Sequence, residues 1–349
     1  MTPSGSAPVV WGALALRPGG SGVQTYQREF MRAAALAGSG HAFAAVVQRD
    51  AVGELPASVH PLTRPIASGV RRALSGLRPV RTEGIFHSLD VDLPVAQRRA
   101  RVSTVHDMSV FDAPWASGPI RARGERALLR RSLNCADAVI AVSAFTAERV
   151  QALTGRMSTV IPLAPASWAR VPARAEVRAV VDHYGLPDRF VLQLGTLEPR
   201  KCPEVAAEAA RVLGLPMVLA GAGTEAPNLA PGTMGLGYVD RAHVPALYRA
   251  ATVVAYASRY EGFGLPPLEA MACGGVVAAS AVGGIPEAVG AGAVVVRANT
   301  VESWVDALKE LAFDGDRRTE LLHRAERVVR NRSWDAVAAE TLAVYRTVS

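Results

Sequence analysis

Glu261 and Glu269 are separated by seven residues across a Gly-Phe-Gly and a Pro-Pro, in the stretch Tyr260 to Ala270 (YEGFGLPPLEA). The apolar run Ala250 to Ala257 (AATVVAYA) before it predicts a buried strand, and the Ala-rich pattern from Leu268 to Cys273 a helix. Prolines are tolerated in a helix's first turn, where their missing N–H has no intrahelical partner. The stretch therefore reads as a strand, a glycine turn and a helix start, with one carboxylate before the turn and one in the early helix. Such a place offers backbone N–H groups to an anion and carboxylates to sugar hydroxyls. A carboxylate favoured by the helix dipole accounts for Glu269 alone, but not for Glu261 with both glycines.

Other chemistry-bearing groups are scattered along the chain. Arg17-Pro18-Gly19-Gly20-Ser21-Gly22 follows a strand pattern at Val9 to Leu16 and precedes a helical pattern at Val23 to Ala37. A strand feeding a Gly-rich loop and a helix brings amides close to a phosphate, although such loops are also plain tight turns. His106 ends the apolar run Val102 to His106, where a structural histidine and a site histidine look alike. Arg200-Lys201 closes a loop after the strand pattern Phe190 to Leu194 and is either a solvated turn or a cationic pair for an anion. Asp90-Val91-Asp92 is a D-x-D, a pattern that can hold a metal, placed after the strand end Phe86-His87-Ser88.

These residues need a scaffold, and the alternation of patterns supplies one. Further strand-like runs fall at Phe43 to Gln48, Gly84 to His87, Ala138 to Ser143 and Thr159 to Leu163, with helical patterns at Ile120 to Cys135 and Ala144 to Leu153. Pro162 to Pro172 (PLAPASWARVP) has no clear period and reads as a linker. A second alternation follows, with strands at Met217 to Ala220, Leu236 to Val239, Thr252 to Ala257, Val276 to Ala279 and Val294 to Arg297, then mostly helix from Val301 to Val348. The expected architecture is α/β, two doubly wound parallel-sheet domains covering residues 1–168 and 173–332 and facing a cleft. Ligands of such sheets bind outside the carboxyl ends of the strands, where the loops named above lie.

Half of the 349 residues are hydrophobic, yet no run approaches the roughly 20 apolar residues needed to span a bilayer. Residues 1–8 carry no signal-peptide pattern, and Cys135, Cys202 and Cys273 are too far apart to read as a disulfide framework or metal cluster, so a cytoplasmic protein is expected. The net charge of +7 is uneven: residues 1–170 hold 20 Arg and no Lys against 11 Asp and Glu, a net of +9. That excess is either a solvated face or an attraction to an anionic acceptor or to the inner face of a membrane, as a peripheral contact. No nucleic-acid-binding motif accompanies it, so nucleic acid is not an expected partner.

Several stretches resemble the retaining GT-B glycosyltransferases of family 4. Glu261 to Glu269 is similar to their E-x7-E motif, and GTLEPRK (Gly195 to Lys201) resembles their donor-phosphate loop. TVHDM (Thr104 to Met108), AVSA (Ala141 to Ala144) and GGSG in the first loop also match, in the family's order, with gaps around residues 49–83 and 221–234. Cys202 departs from the Asn that relatives often carry after Pro-Arg-Lys.

The resemblance implies a GT-B fold whose closing helix, residues 333–349, crosses back onto the N-terminal domain. It implies catalytic roles for Glu261 and His106 at the donor sugar, and for Arg200 and Lys201 at the diphosphate. Glu269 would accept from ribose hydroxyls, and the amides of Gly262, Phe263, Gly264 and Leu265 would meet phosphate or sugar. Gly20, Ser21 and Gly22 would approach the diphosphate, while Gly195, Thr196, Gly223, Tyr238 and Val239 would surround phosphate, ribose and base. The donor is a nucleotide diphosphate sugar, GDP-mannose first because GTLEPRK and YEGFGLPPLEAMACG most resemble the mannosyltransferase branch. UDP-glucose and UDP-N-acetylglucosamine come next. No cofactor and no metal are implied, and the acceptor is a glycan, lipid-linked or natural-product molecule. The rival readings are a non-catalytic nucleotide-sugar-binding protein, a sugar-nucleotide epimerase or phosphorylase, and a dinucleotide-dependent dehydrogenase, whose G-x-G-x-x-G is incomplete at Gly19 to Gly22.

Overall fold

A computed structural model describes residues 7–20, 22–37, 40–90, 93–95, 100–116, 119–226 and 229–348. The chain divides into two compact units, Met1–Leu163 with Ser333–Ser349, and Ala164–Arg332. The break between Leu163 and Ala164 falls inside the proline-rich stretch.

In the N-terminal unit seven parallel strands, β1 (Val9–Gly12), β2 (Phe43–Gln48), β3 (His60–Arg64), β4 (Ile85–Ser88), β5 (Arg101–Val105), β6 (Ala138–Ala141) and β7 (Thr159–Val160), run in the order β3-β2-β1-β4-β5-β6-β7. The described helices are α1 (Gly22–Leu36), α2 (Gly69–Gly76), α3 (Ser109–Asp112), α4 (Pro119–Cys135) and α5 (Ala144–Thr154). All four residues of β1 and all four of β4 are buried, since helices cover both faces of a parallel sheet and its inner strands become continuous apolar runs. β3 and α2 lie where no element is legible in the sequence. HPLTR is an edge strand with a proline and no alternation, and its pairing, Ala44 opposite His60, comes from β2.

The C-terminal unit repeats the plan with β8 (Val191–Leu194), β9 (Met217–Ala220), β10 (Thr233–Gly235), β11 (Val253–Tyr256), β12 (Val277–Ser280) and β13 (Val294–Val296), ordered β10-β9-β8-β11-β12-β13. Its helices are α6 (Arg174–Tyr184), α7 (Pro203–Val212), α8 (Val244–Ala250), α9 (Leu265–Ala272), α10 (Ile285–Val289), α11 (Val301–Phe313) and α12 (Gly315–Arg330). Val191, Leu219, Val253 and Ala278 of the sheet share one core with Trp304, Leu308 and Leu311 of α11. The strand expected at Leu236 to Val239 is displaced to Thr233–Gly235. Gly237 takes a left-handed φ of 67° that ends the strand, and at Gly235 a Cβ would lie 1.7 Å from the Thr224 carbonyl oxygen.

The last helix, α13 (Trp334–Val348), packs on α1 of the N-terminal unit, with the Trp334 and Tyr26 ring centroids 6.0 Å apart. Strand order reverses between β1 and β4 in one sheet and between β8 and β11 in the other. The carboxyl ends at those reversals are where open α/β sheets bind ligands. Among the described residues no helix is long and apolar enough to cross a membrane.

Candidate active site

The loops leaving β8 and β9 approach each other backbone to backbone. Gly195 N–H donates to the Ala220 carbonyl at 2.8 Å, and a Cβ on Gly221 would sit 2.3 Å from the Gly195 oxygen. A side chain there would force the loops apart. Leu197 N–H donates to the Ala222 carbonyl at 2.9 Å, which carries the chain past Thr196 and Gly223 into a single 3-10 turn, Pro199–Lys201. Cys202 closes that turn at φ 41°, the one non-glycine residue with positive φ among those described. Asn favours this backbone region more than Cys does, so Cys202 is a less suited residue for this turn.

That turn brings Arg200 and Lys201 to Glu261 in the loop after β11. Lys201 Nζ donates to Glu261 Oε1, Arg200 Nη1 lies 3.0 Å from Glu261 Oε2, and Ser258 Oγ donates to Oε1 at 2.9 Å. Arg200 is itself oriented by Glu198 Oε2 at 2.8 Å and by the Tyr260 carbonyl at 3.3 Å. Burial pushes the Glu261 carboxyl up, but the Lys201 and Arg200 charges and the hydrogen bonds from Lys201 and Ser258 outweigh it and hold it at about 2. The carboxylate is therefore ionised at neutral pH, and the cluster pairs the Arg200 and Lys201 cations with the buried Glu261 and the more exposed Glu198. Sequence reasoning assigns the cations and Glu261 to separate parts of a ligand and does not foresee their pairing. Nor does it single out Ser258, because a serine four residues from a glycine turn has no distinctive spacing.

The glycine turn is locked by a second loop, also unmarked in the sequence. A Cβ on Gly283 would lie 1.8 Å from the Glu261 carbonyl oxygen and one on Gly284 would lie 2.4 Å from that of Gly262. Gly264, at φ 109°, is the N-cap of α9. Pro266 and Pro267 remove two first-turn donors, so the amides of Phe263, Gly264 and Leu265 form the polar edge at the helix start. Glu269 is the fifth residue of α9, buried and beyond the first turn where the dipole acts. Its charge acts instead on Tyr248, Tyr256 and Cys273. Burial first, then Glu269, pushes the Cys273 thiol up to about 12. Tyr238 is exposed and Val239 buried beyond the end of β10.

The remaining candidates belong to the N-terminal unit. Gly20 has φ 113°, and Arg28 holds its loop by donating to the Gly19 and Arg17 carbonyls at 2.9 and 3.1 Å while its Nε meets Glu54 at 2.6 Å. Gly22 begins α1, and Ser21 lies outside the described residues. His106 Nε2 meets the Leu89 carbonyl at 2.9 Å, and the His106 ring stands edge-on to Tyr26 at 4.7 Å. Behind it runs a buried chain of polar groups. Trp11 Nε1 donates to the Tyr345 hydroxyl at 3.0 Å, which meets His87 Nδ1 at 2.6 Å. His87 Nε2 meets Thr104 Oγ1 at 2.8 Å, and Thr104 meets the Tyr26 hydroxyl at 3.0 Å. Burial, then the charge of His106, pushes His87 down to about 3, so it is neutral. In the D-x-D, Asp90 lies 3.6 Å from Arg72, and Asp92 is outside the described residues.

Comparison with known proteins bears on this geometry. The profile of the glycosyl transferases group 1 matches residues 184–328, which contain Arg200, Lys201, Glu261 and Glu269. The chain is 32% identical over 283 residues to O-antigen chain mannosyltransferase B of Escherichia coli, across 75% of this chain and 74% of that one. It is 36% identical over 208 residues to D-inositol 3-phosphate glycosyltransferase of Salinispora tropica, across 52% of this chain but 42% of the relative. The structure of Anabaena HepE in complex with UDP-glucose matches with a TM-score of 0.74 at 19% identity, across 97% of this chain and all of that one (100%).

Proposed function

The chain belongs to the glycosyl transferases group 1, and on that premise we propose that it is a retaining hexosyltransferase with a GDP-mannose donor. The observation that carries this reading is the Arg200–Lys201–Glu261 cluster at the carboxyl ends of β8 and β11. Two cations held by a buried carboxylate offer positive charge to a diphosphate. They stabilise the charge that grows on the leaving phosphate. As the bond from the sugar C1 to that phosphate oxygen breaks, the acceptor oxygen bonds C1 from the same face and its proton passes to the leaving oxygen. This route keeps the configuration and uses neither a metal nor a covalent nucleophile. Glu261 serves the donor sugar, and Glu269 the ribose.

Mannose is favoured by the similarity to a mannosyltransferase, and UDP-glucose is the second reading because the HepE structure holds it. A donor panel read by hydrolysis and transfer, run on wild type, Glu261→Ala and Lys201→Ala, tests the assignment. Undiminished turnover in both variants removes it.

The acceptor is a glycan, lipid-linked or natural-product molecule, reached at the inner face of a membrane. Support comes from α2, where Val70 and Leu74 share a face and, with Ile66, are 75%, 59% and 63% exposed, beside exposed Arg71, Arg78 and Arg81. The basic run of α4 contributes less, because Arg126 and Arg131 turn onto the carbonyls of Val110 and Leu93. Sedimentation with phosphatidylglycerol vesicles should fall in Val70→Glu/Leu74→Glu. Equal sedimentation with neutral vesicles counts against the membrane contact.

A further inference from the structure

The C-terminal sheet has a second polar concentration at its opposite edge, where the chain enters β8 and β11. There Arg189, Arg249 and Arg318 line a cavity of about 470 Å³, with Asp188 and Phe313 also on its wall. Each guanidinium is fixed by neutral carbonyl oxygens. Arg189 Nη2 donates to Ala312 at 2.6 Å, Arg249 Nη1 to Gly274 at 2.6 Å, and Arg318 Nη1 to Thr252 and Leu311, each at 2.6 Å. Arg189 also lies over the Phe313 ring, 4.6 Å from its centroid.

Carbonyls orient these groups without cancelling their charge. Burial, followed by the charges of Arg189 and Arg249, lowers the Arg318 guanidinium below its usual range. Three guanidinium charges against the single Asp188 carboxylate leave the wall with a net positive charge, which a bound anion offsets. In Arg249 and Arg318 that contact uses Nη1, so Nε and Nη2, the adjacent donors of one planar edge, take no part in it. That edge matches phosphate oxygens.

We propose that this cavity binds a soluble phosphate or diphosphate group at a site separate from the donor site. A soluble ligand is indicated because Phe313 is the sole large exposed apolar side chain on its wall, whereas a headgroup site at a bilayer needs apolar anchors around it.

The test uses the full chain carrying Arg200→Ala and Lys201→Ala, which removes both cations assigned to the donor diphosphate, titrated calorimetrically with inorganic pyrophosphate at low salt. One site is expected whose affinity falls at least tenfold when Arg189→Gln and Arg249→Gln are added. Arg249→Gln alone, at an exposed side chain, should give a smaller loss with unchanged circular dichroism, which separates loss of binding from loss of fold. Absence of binding in the chain carrying Arg200→Ala and Lys201→Ala overturns the proposal, as does equal affinity when both glutamines are added. Displacement of pyrophosphate by phosphatidylglycerol vesicles overturns the assignment to a soluble ligand.

Discussion

The polar groups around the strand ends of the two sheets are stabilised in opposite ways. In the C-terminal unit they are ionised: Lys201, Arg200 and Glu261 hold one another with side chains 12%, 24% and 13% exposed. In the N-terminal unit they are neutral: His87, Thr104, Tyr26, Tyr345 and Trp11 pass hydrogen bonds through a buried interior. A neutral network costs little to bury once every member is satisfied, and it suits a joint between helices and strands. An ion cluster is costly to bury and contributes little net stability. Tyr345 makes the contrast concrete, since it ties α13 to β1 and β4 from the far end of the chain.

The largest expected effect lies in the ionised cluster. Lys201→Ala should lower kcat by about two to three orders of magnitude, the loss seen when a preorganised charge-stabilising donor is removed. Its melting temperature should change far less. A variant that unfolds while its residual folded fraction turns over normally would erase the distinction between the two regions.

Next comes the neutral network. Tyr345→Phe keeps the ring but removes the hydroxyl between Trp11 and His87. Leaving buried polar groups without it should cost about 1–3 kcal/mol in chemical denaturation. Turnover per folded molecule should be retained, and a loss of turnover without loss of stability would show that the network reaches the chemistry.

The smallest effect is a difference in pH dependence. His87 has its folded value depressed from 6.5 to about 3, so between those values the unfolded chain binds the extra proton and stability falls as pH falls. Glu261 is depressed from 4.5 to about 2, so its contribution is complete above 4.5 and is lost as pH drops toward 2. His87→Gln should therefore flatten the stability profile between pH 6.5 and 4.5, where Glu261→Gln should leave its slope unchanged. Identical slopes for wild type and His87→Gln across that window would show that His87 is not held neutral.

Much of this was legible before any coordinates. Apolar runs buried on both faces announce themselves, so β2, β9 and most other strands fall where the residues place them. The edge strand β3 does not, because its pairing energy comes from β2 rather than from its own pattern. The shift from Leu236–Val239 to Thr233–Gly235 has a similar origin, in a left-handed glycine and a close carbonyl that belong to the neighbouring loop. At the candidate site, the spacing of Glu261 and Glu269 around the glycines is legible in the residues, and Arg200 and Lys201 are named through their resemblance to the family's motifs. Ser258, Arg28 and the Gly283-Gly284 lock could not be named either way, since each is defined by what it touches.

By itself the sequence determined two parallel α/β units, the glycine turn before α9 and the family to which the chain belongs. Local periodicity, turn chemistry and motif order need no knowledge of distant contacts. Only the tertiary structure decided that Lys201 and Arg200 close on Glu261, 60 positions away, and that Tyr345 reaches His87 across 258. It also decided that three arginines from separate segments share one cavity at the other edge of the sheet. Charge pairing, hydrogen bonding and steric exclusion act over a few ångströms of space, and separation along the chain carries no record of them.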